Sequence, residues 1–359
     1  MPESKRAIII RGGRGIGDLI FCTPLPRLLA LEGYETDAAV WPKNKAVFQH
    51  NPYVGKLVSY PKELADRPWQ EWGEQLEKDY DLVVTLAFSV EKEFLHKTDG
   101  QFGEIPPLTE RREKARGINY YDFTVERAGF SRDPGEHFRG ELYLSPGEQE
   151  TLAEMTAEKE SRGEKIVLWN LNGSTRNKQV VQGFRYLDAV LRAVPNSRHY
   201  IVSDQAFASS AIPADERVVH VGGQWNLRTS LAMTSVADLV VGPESALVNA
   251  AGCFATPKIV LYSHSAPENL GGNWDNHFPV RPACDCSPCY LIPVDFRQQY
   301  HPAGRALARA FELECRHPHP EDPYRAAGYH CTCTLPGPEI VDTAIKVLQR
   351  NGKRKRKKG

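Results

Sequence analysis

The sequence predicts an α/β protein made of two consecutive doubly wound halves. Three observations carry that prediction. Short apolar runs of strand length alternate with stretches of helical periodicity in the first 128 residues, the same rhythm restarts at Lys165, and each half opens with a strand running into a turn of small residues. At roughly 100–200 residues per domain, a chain of 359 residues has room for two separate cores.

The elements follow in order. Ala7–Arg11 is a short apolar strand that ends in Gly12-Gly13-Arg14-Gly15-Ile16-Gly17-Asp18. Leu19–Leu31 has helical spacing, with Pro24 and Pro26 near its start and Gly33 as its stop. Thr36–Trp41, Lys56–Tyr60 and Asp81–Leu86 are further strands. Glu91–Gly117 is charged and irregular and reads as a loop or lid, whereas Asn119–Ala128 is helical. Ser145–Glu164, polar and Glu-rich, contains the domain boundary. Beyond it, Lys165–Leu171, Arg198–Ser203, Val218–Val221, Asp238–Val241 and Lys258–Tyr262 read as strands. Tyr186–Ala193, Leu227–Ser235, Ser245–Cys253 and Gly337–Gln349 read as helices. The expected domains are residues 1–150 and 160–350, the second with a Cys-rich insertion at 284–333; a basic, disordered tail covers 351–359.

Composition excludes several classes. A hydrophobic fraction of 41% and a charged fraction of 25% exclude disorder of the whole chain. No window approaches the ~20 apolar residues of a membrane span, so no transmembrane segment is expected. The apolar run near the N-terminus is too short for a secretory segment, which predicts a cytoplasmic protein. The net charge of zero, from 45 basic and 45 acidic residues, is a sum of unlike parts. Lys353, Arg354, Lys355, Arg356, Lys357 and Lys358 crowd the C-terminus, and without those six the chain holds 39 basic against 45 acidic residues, a net −6. Such a block of like charge reads as a solvated tail or as an anion-binding one.

Three segments could carry chemistry. In Gly12–Asp18 the glycines stand at 12, 13, 15 and 17, which fails the dinucleotide fingerprint and disfavours a nicotinamide dehydrogenase. Gly15 and Gly17 still allow close approach of a ligand. Asp18 puts a carboxylate at the start of a helix beyond the carboxyl end of the sheet, either as a first-turn acid or as a functional group. Gly173-Ser174-Thr175-Arg176-Asn177-Lys178 follows the first strand of the second half. There, main-chain N–H groups, the Ser174 and Thr175 hydroxyls and Lys178 suit a diphosphate, or form an ordinary polar turn. Val241–Gly252 runs from a buried strand through Gly242-Pro243-Glu244-Ser245 into a helix of small residues containing Asn249. Glu244 could accept from sugar hydroxyls, and Ser245 could serve as the helix cap.

Taken together, these segments resemble the bacterial heptosyltransferase family, glycosyltransferases that add ADP-heptose to lipopolysaccharide core. The resemblance is carried by Ile8–Arg11, Gly15–Asp18, Thr23-Pro24-Leu25, Asn51–Val54, Tyr80–Val84, Ala237–Gly242 and Thr256-Pro257. It implies the GT-B architecture: two Rossmann-like domains facing across a cleft, the first mainly binding acceptor and the second mainly the nucleotide sugar. It implies that Asp18 is the general base and that Ser174, Thr175 and Lys178 stand near the donor diphosphate. Where the family reads Asp, Ser or Thr, Gly and a later His, this chain has Glu244, Ser245, Ala246 and Asn249. The implied reaction is an inverting, metal-independent transfer from a nucleotide-diphosphate sugar to an acceptor hydroxyl.

The acceptor is expected to be a lipopolysaccharide-type saccharide, with a hydroxymethylated base in DNA as the alternative. Arg111, Arg112, Lys114 and Arg116 stand close together and could meet phosphates of either, or form a solvated loop. A non-catalytic nucleotide-sugar binding protein is the alternative outside the enzymes. Six of the eight cysteines fall between Cys284 and Cys333, which allows a structural zinc as well as free thiols. Cys286, Cys289, Cys315 and Cys331 are the expected zinc ligands.

Overall fold

The computed structural model describes residues 5–13, 15–60, 70–86, 90, 107–131, 133, 135–173, 178–180, 182–203, 212–290 and 330–356. The chain divides into two compact units: Met1–Glu150 with Glu268–Asn273, and Thr151–Pro267 with Trp274–Gly359.

Unit 1 is built on a four-stranded parallel sheet in the order β3-β2-β1-β4, formed by β1 (Lys5–Arg11), β2 (Tyr34–Val40), β3 (Val54–Ser59) and β4 (Leu82–Leu86). Ala7 to Ile10 are buried because β1 is an inner strand, covered on both faces. The apolar stretch after the glycine turn is not one helix. It forms α1 (Ile16–Phe21) and α2 (Leu25–Leu31), interrupted at Cys22–Pro24. Pro24 and Pro26 cause the break, since proline lacks the N–H an interior turn requires and is tolerated only where a helix begins. Gly33 then takes φ +84°, the left-handed conformation that ends the second helix.

After α3 (Gln70–Leu76), a helix α4 (Leu108–Ala115) lies inside the stretch expected to be a loop. Helix α5 (Tyr120–Arg127) follows, capped by the Asn119 side chain, which accepts from the Tyr121 N–H at 3.0 Å. The boundary stretch Ser145–Glu164 is mostly the helix α6 (Pro146–Ser161).

Unit 2 holds six parallel strands: β5 (Lys165–Trp169), β6 (Ser197–Ile201), β7 (Val218–His220), β8 (Leu239–Pro243), β9 (Lys258–Leu261) and β10 (His277–Val280). Their order, β10-β9-β8-β5-β6-β7, is 3-2-1-4-5-6 when strands are counted within the unit from its β7 side, the doubly wound order of nucleotide-binding sheets. β10 escapes sequence reading because it has four residues including Pro279, which an edge position tolerates.

Helices α7 (Gly183–Ala193), α8 (Leu227–Met233), α9 (Ala246–Cys253), α10 (Pro267–Gly271), α11 (His330–Cys333) and α12 (Gly337–Arg356) complete the described elements. The core of unit 2 gathers Trp169, Leu187, Val190, Leu239, Val241 and Ile259 with Ile340 and Ala344 from α12. At Gly337 the Tyr186 ring comes so near that an added Cβ would lie 2.7 Å from it, so glycine sets the close approach of α12 to α7. α12 extends to Arg356, so the first six residues of the tail expected to be disordered are helical. Among the described residues, no helix is long and apolar enough to cross a membrane.

Candidate functional site

In an open parallel sheet, ligands bind beyond the carboxyl ends of the strands at the point where the winding reverses direction. In unit 1 that point lies between β1 and β4, and in unit 2 between β5 and β8. Gly15, Gly17 and Asp18 follow β1, Gly173 and Lys178 follow β5, and Glu244, Ser245 and Asn249 follow β8.

At the unit 1 switch point, Arg11 ends β1 and is buried, 2% exposed. Its Nη1 donates to the carbonyl of Leu86, the last residue of β4, at 2.9 Å. Its Nη2 lies 3.6 Å from Oδ1 of Asp18, in the first turn of α1, and the Val90 N–H donates to the same oxygen at 3.3 Å. Asp18 therefore does more than sit beside a helix dipole: its carboxylate meets the charge at the end of β1 and a main-chain N–H beyond β4. Gly15 caps α1, and a Cβ there would overlap Asp18 Oδ2, so the turn requires glycine for this carboxylate position. Gly17 lies within α1. The neighbouring wall is aromatic. Trp41 Nε1 donates to the Gly12 carbonyl at 2.6 Å, and its ring packs on Tyr60, 5.4 Å between centroids.

At the unit 2 switch point, Gly173 N–H donates to the Lys178 carbonyl at 3.0 Å and Val180 N–H to the Leu171 carbonyl at 2.8 Å, closing the base of the loop after β5. A Cβ at Gly173 would overlap the Lys178 side chain, so glycine lets the lysine stem cross the turn. Ser174 and Thr175 lie outside the described residues.

Across the switch point, Glu244 follows β8 and is buried, 4% exposed. Its Oε2 accepts from Ser263 Oγ at 2.7 Å and lies 2.9 Å from His264 Nδ1, and its Oε1 accepts from the N–H of Ser265 at 2.8 Å and its Oγ at 2.5 Å. Burial alone would raise the Glu244 pKa. The His264 ring, Lys178 and the Ser265 hydroxyl outweigh it and hold the carboxyl well below the usual range. Both Glu244 oxygens thus organise the loop after β9. Ser245 precedes α9 without capping it; its Oγ is buried and has no hydrogen-bond partner among the described residues. Asn249 is buried within α9.

The four cations expected to act together are divided by helix α4. Arg111 and Ala115, one turn apart, face the interior, with Arg111 only 4% exposed. Lys114 and Arg116 are exposed, and Lys114 pairs with Glu110 at 2.9 Å. Arg112 is half-buried.

The cysteines fall on two segments joined by the Ala283 N–H to Thr334 carbonyl bond at 3.2 Å. Cys284, Cys286 and Cys289 are on one, and Cys331 and Cys333 on the other. Burial and the neighbouring Cys286 push the Cys284 thiol up to about 11, which keeps it protonated. Among the described residues no three His, Cys, Asp or Glu side chains converge as a metal site, and Cys315 lies outside them. Among the described residues the expected zinc is therefore unsupported.

No protein-family model matches the chain, and no curated protein sequence does. Solved structures match throughout. The glycosyl transferase family 9 protein from Veillonella parvula is 12% identical with a TM-score of 0.62, over 98% of this chain and 99% of that one. The chain has the GT-B fold. The ADP-heptose lipopolysaccharide heptosyltransferase II of E. coli is 15% identical with a TM-score of 0.55, over 86% of this chain and 99% of that one. The iron-containing dodecameric glycosyltransferase TibC of enterotoxigenic E. coli is 14% identical with a TM-score of 0.59, over 97% of this chain and 77% of that one.

Several participants were not legible in the sequence. Arg11 reads as the end of an apolar strand, and its partner Leu86 is 75 residues away. Ser263-His264-Ser265 meets Glu244 only because β8 and β9 are neighbours. The position of that short polar run immediately after a buried strand was the available signal. Asn269 and Asn273 support unit 1. Asn269 Nδ2 donates to the Ala115 and Ile118 carbonyls at 2.9 and 2.7 Å, and Asn273 Nδ2 to Asp122 Oδ1 at 3.0 Å.

Proposed function

We propose that this protein is a glycosyltransferase of the heptosyltransferase type, moving a sugar from a nucleotide-diphosphate donor to an acceptor hydroxyl with inversion at the anomeric carbon. The observation that carries the reading is a carboxylate, Asp18, fixed by Arg11 and Val90 at the switch point of a sheet with this fold. Asp18 accepts the hydroxyl proton as the acceptor oxygen bonds to the anomeric carbon. The bond from that carbon to the diphosphate oxygen breaks, and the nucleoside diphosphate leaves with the electron pair.

Lys178 is the cation for the leaving diphosphate, together with the hydroxyls of Ser174, Thr175 and Ser245. Glu244 acts from behind, by holding the 263–265 loop. No metal takes part in this scheme, so EDTA leaves the rate unchanged. The acceptor in this reading is a saccharide of the lipopolysaccharide type. The basic run at 353–358 keeps a second acceptor in the assay, duplex DNA bearing hydroxymethylated bases.

The test is transfer measured by mass spectrometry across ADP-, UDP-, GDP- and CDP-sugars with both acceptors. Asp18→Asn is expected to lower turnover by about 10²–10⁴-fold with donor affinity retained. Unchanged turnover in Asp18→Asn would remove it as the base. Donor binding without transfer to any acceptor would favour the non-catalytic reading.

A further inference from the structure

We propose that Arg11 is the positioning residue for the Asp18 base, and that it acts on the reaction through that carboxylate alone. The inference rests on the reading of Asp18 given above.

Three features distinguish this arginine from a surface ion-pair partner. It is 2% exposed, so its charge is held where water does not screen it. It is anchored independently of Asp18, because Nη1 donates to the Leu86 carbonyl at 2.9 Å. That bond ties the guanidinium to the ends of two adjacent strands, and a planar fork fixed at one nitrogen fixes the direction of the others. The glycine turn is also shaped around the pair. Gly15 leaves the space that Asp18 Oδ2 occupies, which a Cβ there would overlap.

The consequence is a division of labour between the two carboxylate oxygens. Oδ1 is held by the Arg11 charge at 3.6 Å and by the Val90 N–H at 3.3 Å. Oδ2, over Gly15, is the oxygen that receives the acceptor's proton. An aspartate in the first turn of a six-residue helix has rotamers to choose from. A fixed cation on Oδ1 selects one of them before substrate arrives. Misplacement of a reacting group by about 1 Å costs on the order of 10²-fold in rate, and that sets the scale of the expected effect.

A double-mutant cycle tests this. Arg11→Met in the full chain is expected to lower kcat by about 10–100-fold while the donor KM stays within about twofold. In the Asp18→Asn background the same substitution is expected to produce no further loss, because the group it positions is gone. Arg11→Lys, which keeps the charge without the second arm of the fork, is expected to recover part of the rate. Arg11→Ala is expected to be partly rescued by added methylguanidinium.

Equal fractional losses from Arg11→Met in the parent enzyme and in the Asp18→Asn background would overturn the proposal, as would a rise in donor KM with kcat unchanged. If Arg11→Met fails to fold, Arg11→Lys is carried through the same cycle, and an additive result there overturns it equally. The two readings fail separately. Full turnover in Asp18→Asn removes the base itself, whereas an additive cycle with a strongly impaired Asp18→Asn removes only the role of Arg11.

Discussion

His199 carries a titratable ring into the interior of unit 2, where it is fully buried on β6. Trp169 Nε1 donates to its Nδ1 at 2.9 Å, so Nε2 carries the proton and faces Ser197 Oγ at 2.8 Å. Burial, reinforced by the Arg217 charge against a smaller opposing effect of Asp215, lowers its pKa from 6.5 to about 4. The folded state therefore binds the proton less readily than the unfolded chain, and stability falls as pH drops through the interval from 6.5 to 4. Unfolding by urea at pH 5 is expected to show about 2 kcal/mol less stability than at pH 7 from this group, and His199→Gln is expected to flatten that dependence. Glu244 is the second residue of this kind. Glu244→Ala leaves His264 and two serines without their acceptor, and about 3–5 kcal/mol of stability is expected to go with it, read by the same urea titration.

At the scale of the element, helix α6 shows how local chemistry decides structure that composition does not advertise. Ser145 N–H donates to Glu148 Oε2 at 2.8 Å and Glu148 N–H to Ser145 Oγ at 3.2 Å, a reciprocal capping box with Pro146 as the first helical residue. The helix has a polar surface with Leu152 as its buried side chain, so this start signal matters more than an apolar face would. Ser145→Ala is expected to cost about 1 kcal/mol, measured as a lower urea midpoint with unchanged slope. The spacing Ser-x-x-Glu was present in the sequence, and a polar composition obscured it. Helix α4 was hidden for a different reason. Its buried positions, Arg111 and Ala115, do not announce an apolar face, and the arginine is in the interior because unit 1 closes around it.

On the scale of the whole molecule, the chain does not divide into units at one point. Six residues from the second half, Glu268–Asn273, belong to unit 1. Asn269, fully buried, satisfies two carbonyls at the end of α4 and in the following turn, and Asn273 also donates to the Phe138 carbonyl at 2.8 Å. A fragment of residues 1–150 loses these donors, and each buried carbonyl left without one costs about 1–3 kcal/mol. Hydrogen exchange is expected to be faster at residues 115–124 in that fragment than in the full chain. Charge acts on the same scale. Deleting residues 353–358 is expected to leave transfer to a soluble saccharide acceptor unchanged. Binding to hydroxymethylated DNA, where it occurs, is expected to fall steeply with that deletion and with salt.

The sequence by itself determined the doubly wound class, most strands of both sheets and the turns that end at Asp18 and Lys178. Those follow from short-range periodicity and from glycines whose neighbours are close in the chain. Only the tertiary structure decided what those turns meet. It joined Arg11 to Leu86 and Asp18, turned Glu244 inward onto Ser263, His264 and Ser265, and drew Arg111 away from the cations beside it. The physical reason is the same in each case. Strands adjacent in a parallel sheet are separated in sequence by whole crossover connections, so the partners of a buried charge are chosen by strand order and not by spacing along the chain.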